Sequence, residues 1–237
     1  YHETIQNKRT IMTIDMNGKT LVLSGGSKGI GKAIIYKFAE AGADIAFTYN
    51  SSEEVSQQII AELTEKYSVK VKAYKLDILE PNNYKDLFKT IDEDFDRVDY
   101  FISNAIISGR PVVGGFSPFM RLKPKGMTNI YTATVLAFMV GAQEAAKRME
   151  KVGGGAILTL SSTGNLVHTQ NYTGHGSSKA AVETVVRYAA LELAPMNIRV
   201  NALSGGPIET DALRAFPNFD TMKQEAIERT PLGRMGQ

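Results

Sequence analysis

The sequence lacks cysteine altogether and carries only three histidines in 237 residues. With no thiol there is no disulfide, no thiolate metal site and no cysteine nucleophile. Such a composition suits the cytoplasm. His2, His168 and His175 are scattered and show no His-Glu-x-x-His spacing, so no metal centre is expected. No apolar run approaches the ~18 residues of a membrane-spanning helix, so no membrane partner is expected. Residues 1–12 are polar, lack the apolar segment of a signal peptide, and read as a tail outside the fold. An excess of charge is missing too. The 27 basic residues against 25 acidic ones leave a formal charge of +2, which gives no bulk attraction to nucleic acid.

What is present is an ordinary globular composition, 43% hydrophobic and 22% charged, at a length that suits one domain over residues 13–237. Short apolar runs with strand character alternate with stretches of helical spacing. Strands are predicted over residues 20–24, 45–49, 69–76, 98–102, 156–160 and 198–203. Helices are predicted over 32–41, 53–67, 84–95, 127–151 and from about 172 to 193, with weaker helical signals over 210–230 broken by Pro217. This alternation implies a doubly wound parallel α/β sheet of Rossmann-like type in a single domain. Ligands of such sheets lie beyond the carboxyl ends of the strands. The long Gly/Pro-rich stretch 108–126 follows the fourth strand and is expected to border the cleft and to move without ligand. Its Arg121, Lys123 and Lys125 read as a solvated charge cluster.

The first strand runs into Ser24-Gly25-Gly26-Ser27-Lys28-Gly29-Ile30-Gly31. Glycines there permit a tight turn and close backbone approach to phosphate oxygens, and the following helix start offers free N–H groups to an anion. Enzymes that use NAD usually hold the ribose hydroxyls with an acid at the end of the second strand. Here that region reads Thr48-Tyr49-Asn50-Ser51-Ser52, with no acid before Glu53, while Lys28 supplies a cation inside the turn. The combination favours NADPH over NADH, with Lys28 placed to meet the 2′-phosphate and Ser51 among the residues expected to bind the cofactor.

The spacing Gly25-x-x-x-Gly29-x-Gly31 resembles the TGxxxGIG turn of the short-chain dehydrogenase/reductase family, and the likeness extends to about Asp211. Asp77-Ile78 resembles that family's adenine-contacting pair. Ser103-Asn104-Ala105 resembles its NNAG motif, with Ile106 in the glycine place. Gly206-Pro207-Ile208-Glu209-Thr210-Asp211 resembles its PGxIxTD segment. By this resemblance Gly25 to Gly31, Asp77, Ile78, Asn104, Ala105, Gly206, Pro207, Ile208 and Thr210 hold the cofactor. A homotetramer or homodimer is also implied.

The family's usual catalytic pair is Tyr-x-x-x-Lys on one helix. Lys179, in Ser177-Ser178-Lys179-Ala180-Ala181, resembles the family lysine, but His175 stands in the tyrosine place, and the nearest upstream tyrosine is Tyr172. At about 100° per residue, seven positions return a side chain to within roughly 20° of the same helical face. Tyr172 and Lys179 are thus predicted to serve one cleft. Tyr-x6-Lys is similar to the enoyl-acyl-carrier-protein reductases of the family, the FabL type most closely. This likeness implies hydride transfer to an enoyl thioester of acyl carrier protein or coenzyme A in fatty-acid synthesis. Tyr172 would stabilise the enolate, Lys179 would hold the nicotinamide ribose, and Ser162, after the fifth strand, would hold the substrate carbonyl. His175 and His168 read as residues near the site without a chemical role.

The match departs in two places. Thr132 stands where the family often has an asparagine that supports a proton relay. Relatives continue into another helix and a final strand that helps build the tetramer, whereas this chain stops at Gln237, so either the polypeptide is incomplete or those elements are absent. A bare sheet edge would be a liability. Two other functions stay open: a 3-oxoacyl-acyl-carrier-protein reductase or other carbonyl reductase, and a catalytically silent nucleotide-binding protein.

Overall fold

The computed structural model describes residues 14–107, 113–214 and 219–236. The tail with His2, the first part of the glycine-rich loop and Pro217 lie outside the described residues. The six strands are β1 (Thr20–Ser24), β2 (Asp44–Tyr49), β3 (Val71–Lys75), β4 (Tyr100–Ser103), β5 (Gly155–Ser162) and β6 (Ile198–Gly205). They form one sheet in the order β3-β2-β1-β4-β5-β6, and every pairing is parallel. The order reverses between β1 and β4, which opens the crevice where doubly wound sheets take ligands.

β1 is buried along its whole length, as expected for a strand covered on both faces. Its alternate side chains feed two cores. Leu21 and Leu23 pack with Ile35, Ala39, Ile59 and Leu63 of α1 (Gly29–Glu40) and α2 (Glu53–Tyr67). Val22 packs on the other face with Phe88, Ile91, Phe138 and Val182. Those residues belong to α3 (Asn83–Asp94), α5 (Ala137–Lys151) and α6 (Thr173–Glu192).

The helix predicted over 127–151 is not continuous. It begins earlier, as α4 (Pro124–Tyr131), passes through a π turn (Thr132–Leu136), and continues as α5. Proline suits the first helical turn because its φ is already helical and no N–H is needed there. The apolar stripe runs through the π turn, so spacing alone does not expose the change of hydrogen-bond register. The last helices are α7 (Asp211–Arg214) and α8 (Phe219–Arg229). Among the described residues no helix is long and apolar enough to cross a membrane.

Candidate active site

The glycine turn is built by close packing between β1, β2 and β4. Gly25 adopts φ +78, and its N–H donates to Thr48 O at 3.1 Å and to Thr48 Oγ1 at 3.2 Å. The Gly26 N–H donates to the same carbonyl at 2.9 Å. A Cβ on Gly26 would meet the Phe47 ring at 2.6 Å, and one on Gly31 would meet Gly25 O at 2.0 Å. Asn104 braces the turn from the end of β4. Its Nδ2 donates to Gly25 O at 2.9 Å and Ser24 O at 3.2 Å. The Asn104 and Ala105 N–H groups both donate to Ser24 Oγ, at 3.1 and 3.2 Å.

Gly29 differs from its neighbours. It has φ +55, and a Cβ there would meet nothing closer than Thr210 Cγ2 at 3.9 Å. Lys28, the N-cap of α1, is exposed. The helix start has no side-chain cap and no acid in its first turn, so its N–H groups and positive dipole end face an open space. The segment after β6 closes over this corner. Gly236 donates to Pro207 O at 3.3 Å and bridges Ile208, and Thr210 Oγ1 accepts from the Leu213 N–H at 3.3 Å to start α7. Ser51 and Asp77 are exposed at the ends of β2 and β3, and Asp77 Oδ1 accepts from the Leu79 N–H at 2.9 Å. The Ile78 side chain packs into the core, so of that pair Asp77 has the exposed side chain.

The second cluster lies at the carboxyl end of β5. Tyr172 is the N-cap of α6, with φ −97 and ψ 7, so it sits just before the helix on whose spacing its placement was predicted. Its Oη donates to Ser162 Oγ at 3.3 Å. Ser162 Oγ also accepts from the Gly164 N–H at 3.2 Å. Lys179, on α6, is buried, and its Nζ donates to Leu160 O at 2.6 Å, two residues before Ser162. Burial pushes the lysine down to about 8, which leaves it mostly charged at neutral pH. His175 stacks on Tyr172 with ring centres 5.3 Å apart and planes at 27°. Burial, and then the charge of Lys179, lowers its pKa to about 4, so the imidazole is neutral.

The spacing thus brings Tyr172, Ser162 and the strand-end backbone beside Lys179 together. His168 is exposed on the preceding loop. Sequence reasoning missed Phe116, whose ring meets the edges of both Tyr172 (6.1 Å, 88°) and His175 (5.9 Å, 65°). The only signal was an aromatic in the loop after β4. That loop does border the site.

A family model described as Enoyl-(Acyl carrier protein) reductase matches residues 25–237. The chain belongs to the short-chain dehydrogenase/reductase family. It is 33% identical to a 1-cyclohexenylcarbonyl-CoA reductase of Streptomyces collinus, over 91% of this chain and 74% of that protein. Among solved structures it is similar to an NADPH-dependent 3-quinuclidinone reductase of Rhodotorula rubra (TM-score 0.83, 26% identity, 99% of this chain and 86% of that one). It is also similar to an enoyl-(acyl-carrier-protein) reductase of Anaplasma phagocytophilum in complex with NAD (TM-score 0.80, 27% identity, 92% and 82%). The chain is therefore an oxidoreductase of a family that binds NAD(P)(H). The residues present fit such a cofactor: an uncapped helix start, a glycine open to the exterior at φ +55, and an exposed lysine within the turn.

Proposed function

We propose that the chain is an NADPH-dependent reductase of enoyl thioesters, an enoyl-acyl-carrier-protein reductase of fatty-acid synthesis. The observation that carries this reading is the hydrogen bond from Tyr172 Oη to Ser162 Oγ, with His rather than Tyr at 175. The description of the matching family model and the thioester named in the Streptomyces collinus relative support it. Lys28 and the absence of an acid at the end of β2 support NADPH. The residues that would hold the cofactor are those of the turn from Gly25 to Gly31, Ser51, Asp77, Ile78, Asn104, Ala105, Gly206, Pro207, Ile208, Thr210 and Lys179. When bound, the nicotinamide supplies a hydride to the β-carbon of the substrate.

Negative charge then gathers on the thioester oxygen. The Tyr172 hydroxyl donates to that oxygen, an electrostatic role worth most in a water-poor site. Ser162 Oγ accepts two hydrogen bonds and, among the described residues, donates none, so its own proton is available to the same oxygen. Lys179, charged and anchored on Leu160 O, would hold the nicotinamide ribose of the bound cofactor.

The nearest alternative is a 3-oxoacyl-acyl-carrier-protein reductase or another carbonyl reductase, and His175 counts against it, because the usual Tyr-x-x-x-Lys pair would have tyrosine there. NADPH oxidation with a crotonyl thioester, run beside an acetoacetyl thioester, separates the two. The enoyl substrate is expected to turn over, and Tyr172→Phe is expected to lose about 10²–10³ in turnover on it. Turnover of the acetoacetyl thioester alone would overturn the proposal, and no NADPH oxidation with either would favour the silent protein.

A further inference from the structure

Tyr172 is the N-cap of α6: its carbonyl joins the helical ladder but its own φ and ψ are not helical, so helix geometry by itself does not fix its ring. The residue before it, Asn171, has φ +61. The backbone is tied by the Tyr172 N–H to Thr169 O at 3.2 Å and by the Gly176 N–H to Tyr172 O at 2.7 Å. The phenol ring is held from three sides. Gly164 lies against it so closely that a Cβ there would stand 2.6 Å from two ring carbons. Phe116 meets it edge-on. His175 covers a face, three residues on, at the spacing where side chains of neighbouring turns meet.

We infer that His175 is a positioning residue: its ring, stacked on the Tyr172 phenol, keeps Oη within reach of Ser162. This rests on the reading of Tyr172 as the donor to the developing oxyanion. Three observations carry it. The stack is near-parallel, and Phe116 touches both rings, so the three aromatics form one unit. The imidazole has Lys179 one turn further along the same helix, and a second cation there would oppose it. Burial and that lysine both hold the imidazole neutral, so it offers a flat uncharged face rather than a proton. What position 175 supplies is shape.

The test compares His175→Ala, His175→Leu and His175→Phe with Tyr172→Phe. A displaced reacting group can cost about 10²-fold, so kcat on a crotonyl thioester is expected to fall about ten- to a hundredfold in His175→Ala. The Michaelis constant for NADPH is expected to hold within about twofold, because no contact to the cofactor is removed. His175→Phe restores most of the lost turnover, and His175→Leu, which fills volume without a flat ring, does not. An activity-independent readout is the ζ-¹³C tyrosine spectrum of the protein alone, with Tyr172 assigned by its loss in Tyr172→Phe. That signal shifts or broadens in the Ala and Leu variants and returns in the Phe variant.

Normal turnover or an unchanged Tyr172 signal in His175→Ala would overturn the inference. So would a Phe variant no better than the Leu variant, a comparison that still decides if His175→Ala fails to fold. Near-normal turnover in Tyr172→Phe defeats the underlying reading instead, whatever the His175 variants do.

Discussion

A single methyl group at Gly31 probes how the cofactor corner is assembled. In Gly31→Ala the new carbon would stand 2.0 Å from Gly25 O, 3.0 Å from the Gly25 carbonyl carbon and 2.5 Å from Nδ2 of Asn104. Non-bonded heavy atoms settle about 3.5–4.0 Å apart, so α1 and the turn must separate by more than about 1 Å. The two groups struck are bonded to each other, since Asn104 Nδ2 donates to Gly25 O at 2.9 Å and also to Ser24 O. Relief of the clash therefore breaks the brace. Overpacking costs about 1–3 kcal/mol, and two hydrogen bonds at about 0.5–1.5 kcal/mol each bring the expected loss to about 2–6 kcal/mol. That is a large part of the ~5–15 kcal/mol that holds a typical domain. Gly29→Ala is the control: it meets nothing within 3.9 Å but must adopt φ +55, which costs about 1–2 kcal/mol. Urea unfolding followed by circular dichroism measures both. A Gly31→Ala protein as stable as Gly29→Ala would refute the packing account of the turn.

Lys28→Ala should weaken NADPH binding by about tenfold or more, the scale of a lost charge-assisted hydrogen bond, and leave NADH binding within about twofold. Titration of both cofactors checks this, and equal wild-type affinities for the two would remove the basis for NADPH preference. With burial holding Lys179 at about 8, its ammonium is present below that pH and is lost as pH rises through it. The free-enzyme profile of kcat/KM should accordingly decline above about pH 8, and a flat profile to about pH 10 would show that the charge is not needed.

Much of the fold was legible because both faces of the sheet are covered. β1 and α2 have the bounds that apolar spacing predicts, since a buried parallel strand reads as a continuous run and an amphipathic helix as a stripe. α1 starts at Gly29, three residues before the predicted start, because the turn and the helix share their glycines. The first residues of α4, 124–126, fell in a stretch whose Gly and Pro read as loop, although Pro124 marks a helix start. Within the candidate site, Lys179 and Ser162 were read from the family resemblance and Tyr172 from its spacing to Lys179. Phe116 was not, for its contact with Tyr172 joins segments 56 positions apart in the chain and is set by how the loop after β4 folds over α6. Asn104 was read toward the cofactor, but its side chain is engaged with the glycine turn, a brace that residue type alone does not distinguish from a ligand contact.

On the proposed reading, the positions of Tyr172 and His175 correspond to two different demands of chemistry. In a carbonyl reduction the hydride goes to the carbon that bears the oxygen, so the oxygen that takes the proton lies one short bond, about 1.2 Å, from the atom being attacked. In an enoyl thioester the hydride goes to the β-carbon, and the charge emerges on the thioester oxygen, three bonds away through the α-carbon and the carbonyl carbon. The donor has to be set back along the cleft. Moving the donor from 175, within α6, to 172, at its N-cap, sets it back by three residues of chain, with Ser162 Oγ still in reach at 3.3 Å. The double variant Tyr172→Phe/His175→Tyr returns the hydroxyl to the nearer slot without adding or removing an aromatic ring from the unit with Phe116. It is expected to lose turnover on a crotonyl thioester to the same degree as Tyr172→Phe while gaining measurable reduction of an acetoacetyl thioester. If the double variant instead keeps enoyl reduction at the wild-type rate, the position of the hydroxyl along α6 does not select the reaction, and substrate choice must lie in the loop that carries Phe116.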